Sequence, residues 1–299
     1  MPKRILLLGA GGQVGQTLLA EPLPVDWQLS GFNHAELDIT NHFDVRGRID
    51  QLKPDLIINA AALTDVDAAQ NNPDLVRRIN FDAVGNLAAL CTVRDVPIIH
   101  LSTDYVFNGK AERPYREDHK MEPINFYGES KMLGEEALRH EFPWHVILRV
   151  SLVFGAYGKN ILTKMIEQID RGDEIKGFTD LKAGPTAATE IAKAMIVIGS
   201  AILKGKPNGF GTFHLCGEPG ATRLEFIQAV MDAYAPYADI RPAVTPIVAA
   251  DWPDRAPRPA YTVFDCTKIR EVYGIEQKPW REGLIEALDI FMRKRTKTS

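Results

Sequence analysis

At 299 residues the chain has room for one large α/β unit or two closely packed domains around a sizeable core. Hydrophobic residues at 45% and charged residues at 25% exclude a disordered chain and indicate a soluble globular protein. A net charge of −4 gives no electrostatic reason to expect nucleic acid or an anionic membrane as a partner.

In chain order, the first predicted strand, "RILLLG", enters a glycine-rich turn and then a helix, "GGQVGQTLL", with glycines at 9, 12 and 15. Lacking Cβ atoms, such a turn lets the backbone approach a pyrophosphate, and the helix behind it offers free N–H groups and the positive end of its dipole. The bland alternative is a tight strand-to-helix turn; the strand before it, the helix after it and the βαβ series that follows favour a dinucleotide. "WQLSGF" is the second strand. At its tip an acid would bond the ribose 2′-hydroxyl. Asn33 and His34 stand there instead, with Glu36 near, which tilts the expectation towards NADPH and leaves NADH open. An exposed loop histidine is the alternative reading of His34. "PDLIINAAA", "VPIIHLS" and "WHVILRV" follow as strands, separated by helical stretches such as "NPDLVRRINFDAVGNLAALCTVRD", where Pro73 sits near a helix start. This alternation predicts a doubly wound, Rossmann-type parallel sheet with helices on both faces, an α/β fold.

"IIHLSTDYVFNG" places Ser102, Thr103 and Asp104 at the carboxyl end of the fourth strand, where open α/β sheets hold their ligands. "NFYGESKMLGEE" then sets Tyr127 and Lys131 four residues apart, on one face of a predicted helix. A cation near a phenol favours the phenolate, so the pair reads as a tuned acid; an aromatic core residue beside a solvated lysine is the alternative. After about residue 150 the alternation loosens. Helices are predicted at "NILTKMIEQIDRG" and "AATEIAKAMIVIGSAIL", a strand at "GTFHLCG" and a helix at "RLEFIQAVMDAY". An extended segment without regular structure is expected from Pro236 to Pro259, then two closing helices near 267–273 and 281–293. The terminal basic cluster "RKRTKT" reads as a solvated tail. No apolar run approaches the roughly 18 residues of a membrane span, and the amino end is too short in its apolar core for a signal peptide, so a cytoplasmic chain is expected. Cys91, Cys216 and Cys266 suit neither a disulfide framework nor a metal site and are expected to be reduced and mostly buried.

Together these motifs resemble the extended short-chain dehydrogenase/reductase family, whose marks are G-x-x-G-x-x-G, a Ser or Thr after the fourth strand and Y-x-x-x-K. "GGQVGQ", "LDIT", "PDLIINAAALTDVDAA", "LSTDYVFNG", "PINFYGESKMLGE", "AGPTAATEIA", "GTFHLCG" and "APRPAYTVFD" span nearly the whole chain and look like its dTDP-4-dehydrorhamnose reductase branch. The resemblance implies an NAD(P)-binding Rossmann domain over residues 1–152, rejoined at about 186–215, and a smaller α/β sugar-nucleotide domain over 153–185 and 216–299. It implies NAD(P)H-dependent reduction of the 4-keto group of a nucleotide-linked 6-deoxy sugar, a step towards cell-surface polysaccharide.

Carried over by position, Tyr127 is the general acid, Lys131 binds the nicotinamide ribose and lowers the tyrosine pKa, and Thr103 helps hold the keto oxygen with Asp104 near the sugar. Gly9, Gly12, Gln13, Val14 and Gly15 would cradle the pyrophosphate, Asp38 and Ile39 would flank the adenine, and Ala62, Leu63 and Thr64 would line the cofactor cleft. Arg258 would grip the nucleotide diphosphate, which suits an arginine fork; a surface arginine in a proline-rich loop is its alternative reading. Departures fall on the substrate side. Leu152 and Arg223 stand where the family usually has tryptophan, and Leu181 where it has glutamine. Of the acidic cluster that holds magnesium in some relatives only Glu190 is matched, Thr17 and Ile290 occupying the other positions, so no metal is expected. The rival functions are a nucleotide-sugar epimerase or dehydratase of the same fold and a non-catalytic regulatory subunit. A homodimer is left open.

Overall fold

The computed structural model describes residues 2–206, 208–252 and 255–298. The first half alternates strand and helix: β1 (Lys3–Leu8), α1 (Gln13–Ala20), β2 (Trp27–Phe32), α2 (His42–Leu52), β3 (Leu56–Asn59), α3 (Val66–Asn71), α4 (Pro73–Arg77), α5 (Ala83–Arg94), β4 (Ile98–Thr103), α6 (Phe126–Glu141) and β5 (His145–Val150). The second half adds β6 (Val153–Phe154), α7 (Ile161–Arg171), β7 (Ile175–Phe178), β8 (Lys182–Ala183), β9 (Thr186–Ala187), α8 (Ala188–Leu203), β10 (Gly211–Leu215), β11 (Ala221–Thr222) and α9 (Arg223–Tyr234). It closes with β12 (Val244–Ile247), β13 (Tyr261–Thr262), α10 (Thr267–Tyr273) and α11 (Trp280–Thr298).

Six parallel strands form the central sheet in the order β10-β5-β4-β3-β1-β2. β3 and β5 are buried along their whole length, as parallel strands covered on both faces must be. One face packs on α1 and α8 through Leu7, Leu18, Ile191 and Ile198. The other packs on α2, α5 and α6 through Leu6, Ile49, Leu87 and Leu138. The strand order reverses at β1, so the ligand crevice of this doubly wound sheet opens beyond the carboxyl ends of β1 and β3. A separate core joins α7, α9 and α11 through Leu162, Phe226 and Leu284. β10 and α8 bring the chain back to the sheet between these parts.

Three elements differ from the sequence reading. The helix predicted from Pro73 is interrupted: α4 passes through a π turn over Arg78–Asp82 before α5 begins, and the inserted residue turns Asn80 into the interior. The proline-dense stretch carries β12, which pairs with β7 and includes Pro246; a two-stranded sheet has only edges, so the missing N–H is tolerated. Pro253 and Asp254 of that stretch lie outside the described residues. The basic run at the end belongs to α11 and is not a free tail: Arg295 donates to Asp170 Oδ2 at 2.8 Å and to the Tyr234 hydroxyl at 2.7 Å. No helix among the described residues is long and apolar enough to cross a membrane.

Candidate active site

β4 and α6 meet at their ends. Asn125 caps α6 by accepting the Gly128 N–H at 2.8 Å. A Cβ on Gly128 would lie 2.1 Å from the Tyr105 carbonyl, so only glycine allows the helix to start this close to the strand exit. The approach brings the Tyr127 phenol close enough to Thr103 for that hydroxyl to act on it. The Tyr105 ring stands edge-on to that of Tyr127, centroids 5.5 Å apart. Burial pushes the Tyr127 phenol above its ordinary pKa, and the Thr103 hydroxyl opposes the rise.

Lys131, one turn on, is held by β4. Its Nζ lies 3.1 Å from His100 Nε2 and donates to the Leu101 carbonyl at 2.8 Å. β4 thus holds the amine through two contacts. Burial lowers Lys131 itself to about 8, with Glu135 pulling the other way. The hydrogen bonds agree. Asn59 Oδ1 accepts the Ala61 N–H at 3.1 Å, so its Nδ2 must donate to His100 Nδ1, also at 3.1 Å. The ring proton then belongs on Nε2, facing Lys131, an arrangement that suits a neutral amine. His100 is fully buried, and burial followed by the charge of Lys131 holds it well below its ordinary pKa.

The glycine turn faces the same crevice. Gly9 has φ +81°, and a Cβ there would lie 2.5 Å from Ala61 N; one on Gly15 would lie 2.3 Å from the Gly9 carbonyl. These two positions let the turn close on itself. At Gly12 a Cβ would meet only the Gly9 carbonyl, at 3.4 Å, so the space beyond it is open. Gly12 caps α1 without a side-chain hydrogen bond, which leaves the first N–H groups of Gln13, Val14 and Gly15 for ligand oxygens. Gln13 Oε1 is buried without a partner. The set of free N–H donors at the start of α1 fits a dinucleotide pyrophosphate.

Beyond β2, Asp38 Oδ1 accepts the Thr40 N–H and hydroxyl, both at 2.9 Å. Burial raises the Asp38 pKa, but these bonds, His34 and Arg78 outweigh it and lower the value. Ile39 packs with the helix-covered face of the sheet beside it. The segment of Ala62, Leu63 and Thr64 is clamped by Asn80, which accepts the Leu63 N–H at 2.9 Å and donates to the Leu63 carbonyl at 3.0 Å and to Ser130 Oγ at 3.1 Å. The π turn thus ties the cofactor-side loop to α6.

On the substrate side, Asp104 is buried with both oxygens engaged. Oδ1 accepts from Thr103 at 3.1 Å, and Oδ2 from Ser151 at 2.8 Å and Thr262 at 2.6 Å. Burial raises its pKa against the pull of those hydroxyls. Leu152 follows with φ +39°, a left-handed backbone unusual for leucine, and packs against the second core. Arg258 is not a loose surface arginine: its side chain is 20% exposed and Nη1 lies 2.7 Å from Asp67 Oδ1. Arg255 pairs with Asp67 Oδ2 at 2.7 Å, and the Ala256 N–H donates to Oδ1 at 3.1 Å. Burial opposes ionisation of Asp67, yet the Arg258 hydrogen bond, the Ala256 N–H and Arg255 hold it down at about 2. Asn125 Nδ2 donates to the Pro257 carbonyl at 2.8 Å, fastening this loop to α6 as well.

Sequence reading missed Asn59, Asp67, Asn80, His100 and Tyr105. Asn59 and His100 carried a signal, as polar residues inside otherwise apolar parallel strands; Asp67 and Asn80 carried none, since their partners are distant in sequence. Glu190, the one match to a metal cluster, is ion-paired with Lys193 at 3.3 Å and Lys278 at 3.1 Å.

Residues 3–293 match the sequence profile of the RmlD substrate binding domain. A dTDP-4-dehydrorhamnose reductase from Aggregatibacter actinomycetemcomitans is 36% identical over 286 residues, covering 94% of this chain and 97% of that one. Another from Sinorhizobium fredii is 35% identical, covering 94% and 95%. The crystal structure of dTDP-4-dehydrorhamnose reductase from Bacillus anthracis in complex with NADP superposes with a TM-score of 0.87 at 30% identity, covering 97% of this chain and 99% of that one.

Proposed function

The chain belongs to the RmlD substrate binding domain family, and on that footing we propose that it reduces the 4-keto group of a nucleotide-linked 6-deoxy sugar with NADPH, converting dTDP-4-dehydro-L-rhamnose to dTDP-L-rhamnose. The observation that carries the reading is the close approach of α6 to the carboxyl end of β4, which sets Tyr127 beside Thr103 in the same sheet-end crevice as the glycine cradle. NADPH, when bound, supplies the hydride. Gly12, Gln13 and Val14 bind its pyrophosphate through the start of α1, and Ala62, Leu63 and Thr64 wall the crevice. Tyr127 gives its proton to the keto oxygen, and Thr103 holds that oxygen by turning its hydroxyl from Asp104 Oδ1 to it when substrate binds; positioning and acid catalysis suffice for such a step. Lys131 binds the nicotinamide ribose, oriented by His100. Asp104 holds the Thr103 hydroxyl until substrate binds, Leu152 lines the sugar side, and Arg258 takes the diphosphate in exchange for part of its hold on Asp67.

The second core under α7, α9 and α11 supports assigning residues 153–185 and 216–299 to the substrate and 1–152 with about 186–215 to the cofactor. The reaction belongs in the cytoplasm, with NADPH-dependent biosynthesis. The test is NADPH consumption at 340 nm against dTDP-, UDP- and GDP-linked 4-keto-6-deoxy sugars. Stoichiometric oxidation with the dTDP sugar is expected. Turnover without net NADPH loss would identify an epimerase or dehydratase instead, and binding of both ligands without turnover a regulatory subunit.

A further inference from the structure

We propose that Arg223 is a second diphosphate-binding residue, which with Arg258 forms a two-arginine clamp around Tyr105 and makes the site select nucleoside diphosphates over monophosphates. The inference rests on the nucleotide-sugar reading above and adds a residue that reading does not use. Arg223 is the first residue of α9, and its N–H donates to the Leu181 carbonyl at 3.0 Å, which fixes where the side chain starts. Its Nη1 is buried with no hydrogen-bond partner. A buried guanidinium N–H left unpaired is unfavourable unless a ligand completes it.

The neighbouring groups cannot do so. Asp104 lies close enough for its carboxyl to feel the Arg223 charge, but three hydroxyls already occupy its oxygens. The charge of Arg223 acts on the Tyr105 phenol, and from its own loop Arg258 acts on the same phenol. Two guanidiniums acting on one phenol favour an anion with several acceptor oxygens, since burial keeps that phenol neutral. The charges are also unequal. Among the described residues, Arg255 and Arg258 share the single carboxylate of Asp67, while Arg223 has no ion pair and faces only Asp104, so three guanidiniums meet two carboxylates. That surplus of positive charge suits an anionic diphosphate diester. Tyr105 stands 5.5 Å from Tyr127, ring to ring, so the clamp lies a short span from the acid that meets the sugar. A single phosphate reaches one arm; a diphosphate can bridge both.

The experiment is competitive inhibition of the full-length enzyme by dTDP, dTMP and thymidine, with NADPH affinity measured in parallel to check the fold. In Arg223→Ala, dTDP should bind about 10- to 100-fold more weakly, in the range of a lost charge-assisted contact. Affinity for thymidine and NADPH should be unchanged, and the preference for dTDP over dTMP should largely vanish. Arg223→Lys should recover part of the preference, as a point charge without the fork. If dTDP inhibits the alanine variant as well as the parent, the inference fails and the nucleotide-sugar reading stands. An equal loss for thymidine and dTDP also overturns it, because the nucleoside pocket rather than the clamp has changed. If the parent binds none of dTDP, UDP and GDP, both readings fail together. Should Arg223→Ala lose NADPH binding, Arg223→Gln, which keeps length and a donor, decides by the same criteria.

Discussion

Tyr127 is buried where its neutral form is favoured, so it arrives at the reaction still carrying the proton a carbonyl reduction needs. Removing that proton while keeping the ring separates acid catalysis from packing. Tyr127→Phe should reduce kcat by about 100-fold or more and move neither KM strongly, as expected for loss of a general acid; near-normal turnover would remove Tyr127 from the mechanism. Lys131 titrates in an accessible range. With its amine lowered to about 8, and with a bound pyrophosphate and ribose favouring the cation, the cofactor complex holds the proton to higher pH than the free enzyme. Between those two values the complex carries more protons, so NADPH affinity must fall as pH rises through about 8. Fluorescence titrations from pH 6.5 to 9.5 should show roughly a tenfold loss for the parent and a flat profile for Lys131→Met. A parent profile as flat as the variant's would mean that Lys131 does not change charge on binding.

The elements are arranged so that a few short contacts fix several long ones. Glu135 on α6 accepts from Ser102 at 2.5 Å and from Arg149 at 2.7 Å, so one side chain pins the catalytic helix to both β4 and β5. Burial opposes its charge, but Arg149 outweighs this and holds it at about 2. The first turn of α1 is the matching element on the cofactor side. Of its three motif glycines, Gly9 and Gly15 are required by neighbouring backbone, whereas Gly12 borders open space. A side chain at Gly12 would thus fill the cradle without breaking the turn. Gly12→Val should lower NADPH affinity by about 100-fold or more, while melting temperature shifts by only a few degrees, a surface-like change of about 0.5–1 kcal/mol. Calorimetry finding unchanged NADPH affinity in a folded variant would put the phosphate site elsewhere.

Across the whole molecule, what could be read from sequence was whatever repeats locally. β1 to β5, the glycine turn and the Tyr127–Lys131 spacing each declare themselves within a dozen residues. Contacts between distant segments do not: Asp67 holds Arg258 across 191 residues, and Asn125 reaches Pro257 across 132. The π turn at Asn80 was equally hidden, because its purpose lies in a loop and a helix that pattern alone does not bring together. Asp104 is the extreme case. The sequence places it near the sugar, and nothing local shows that it accepts hydroxyls from Ser151, 47 residues on, and from Thr262, 158 residues on. Those partners leave β5 and lie in β13, which pairs with β8 outside the central sheet. Asp104 therefore clasps the sheet core to the part of the chain that contains the second core, and does so in a fully buried position where water cannot replace it. Asp104→Ala leaves three hydroxyls without their acceptor and should destabilise the protein by about 3–5 kcal/mol, more than a typical substitution. It should also split unfolding into two transitions, because the two cores lose a shared support. Asp104→Asn, which keeps the shape and one acceptor oxygen, should lose less and remain cooperative. Urea melts followed by both tryptophan fluorescence and circular dichroism decide the matter: coincident curves with a loss below about 1 kcal/mol in the alanine variant would show that the cores cohere without the clasp.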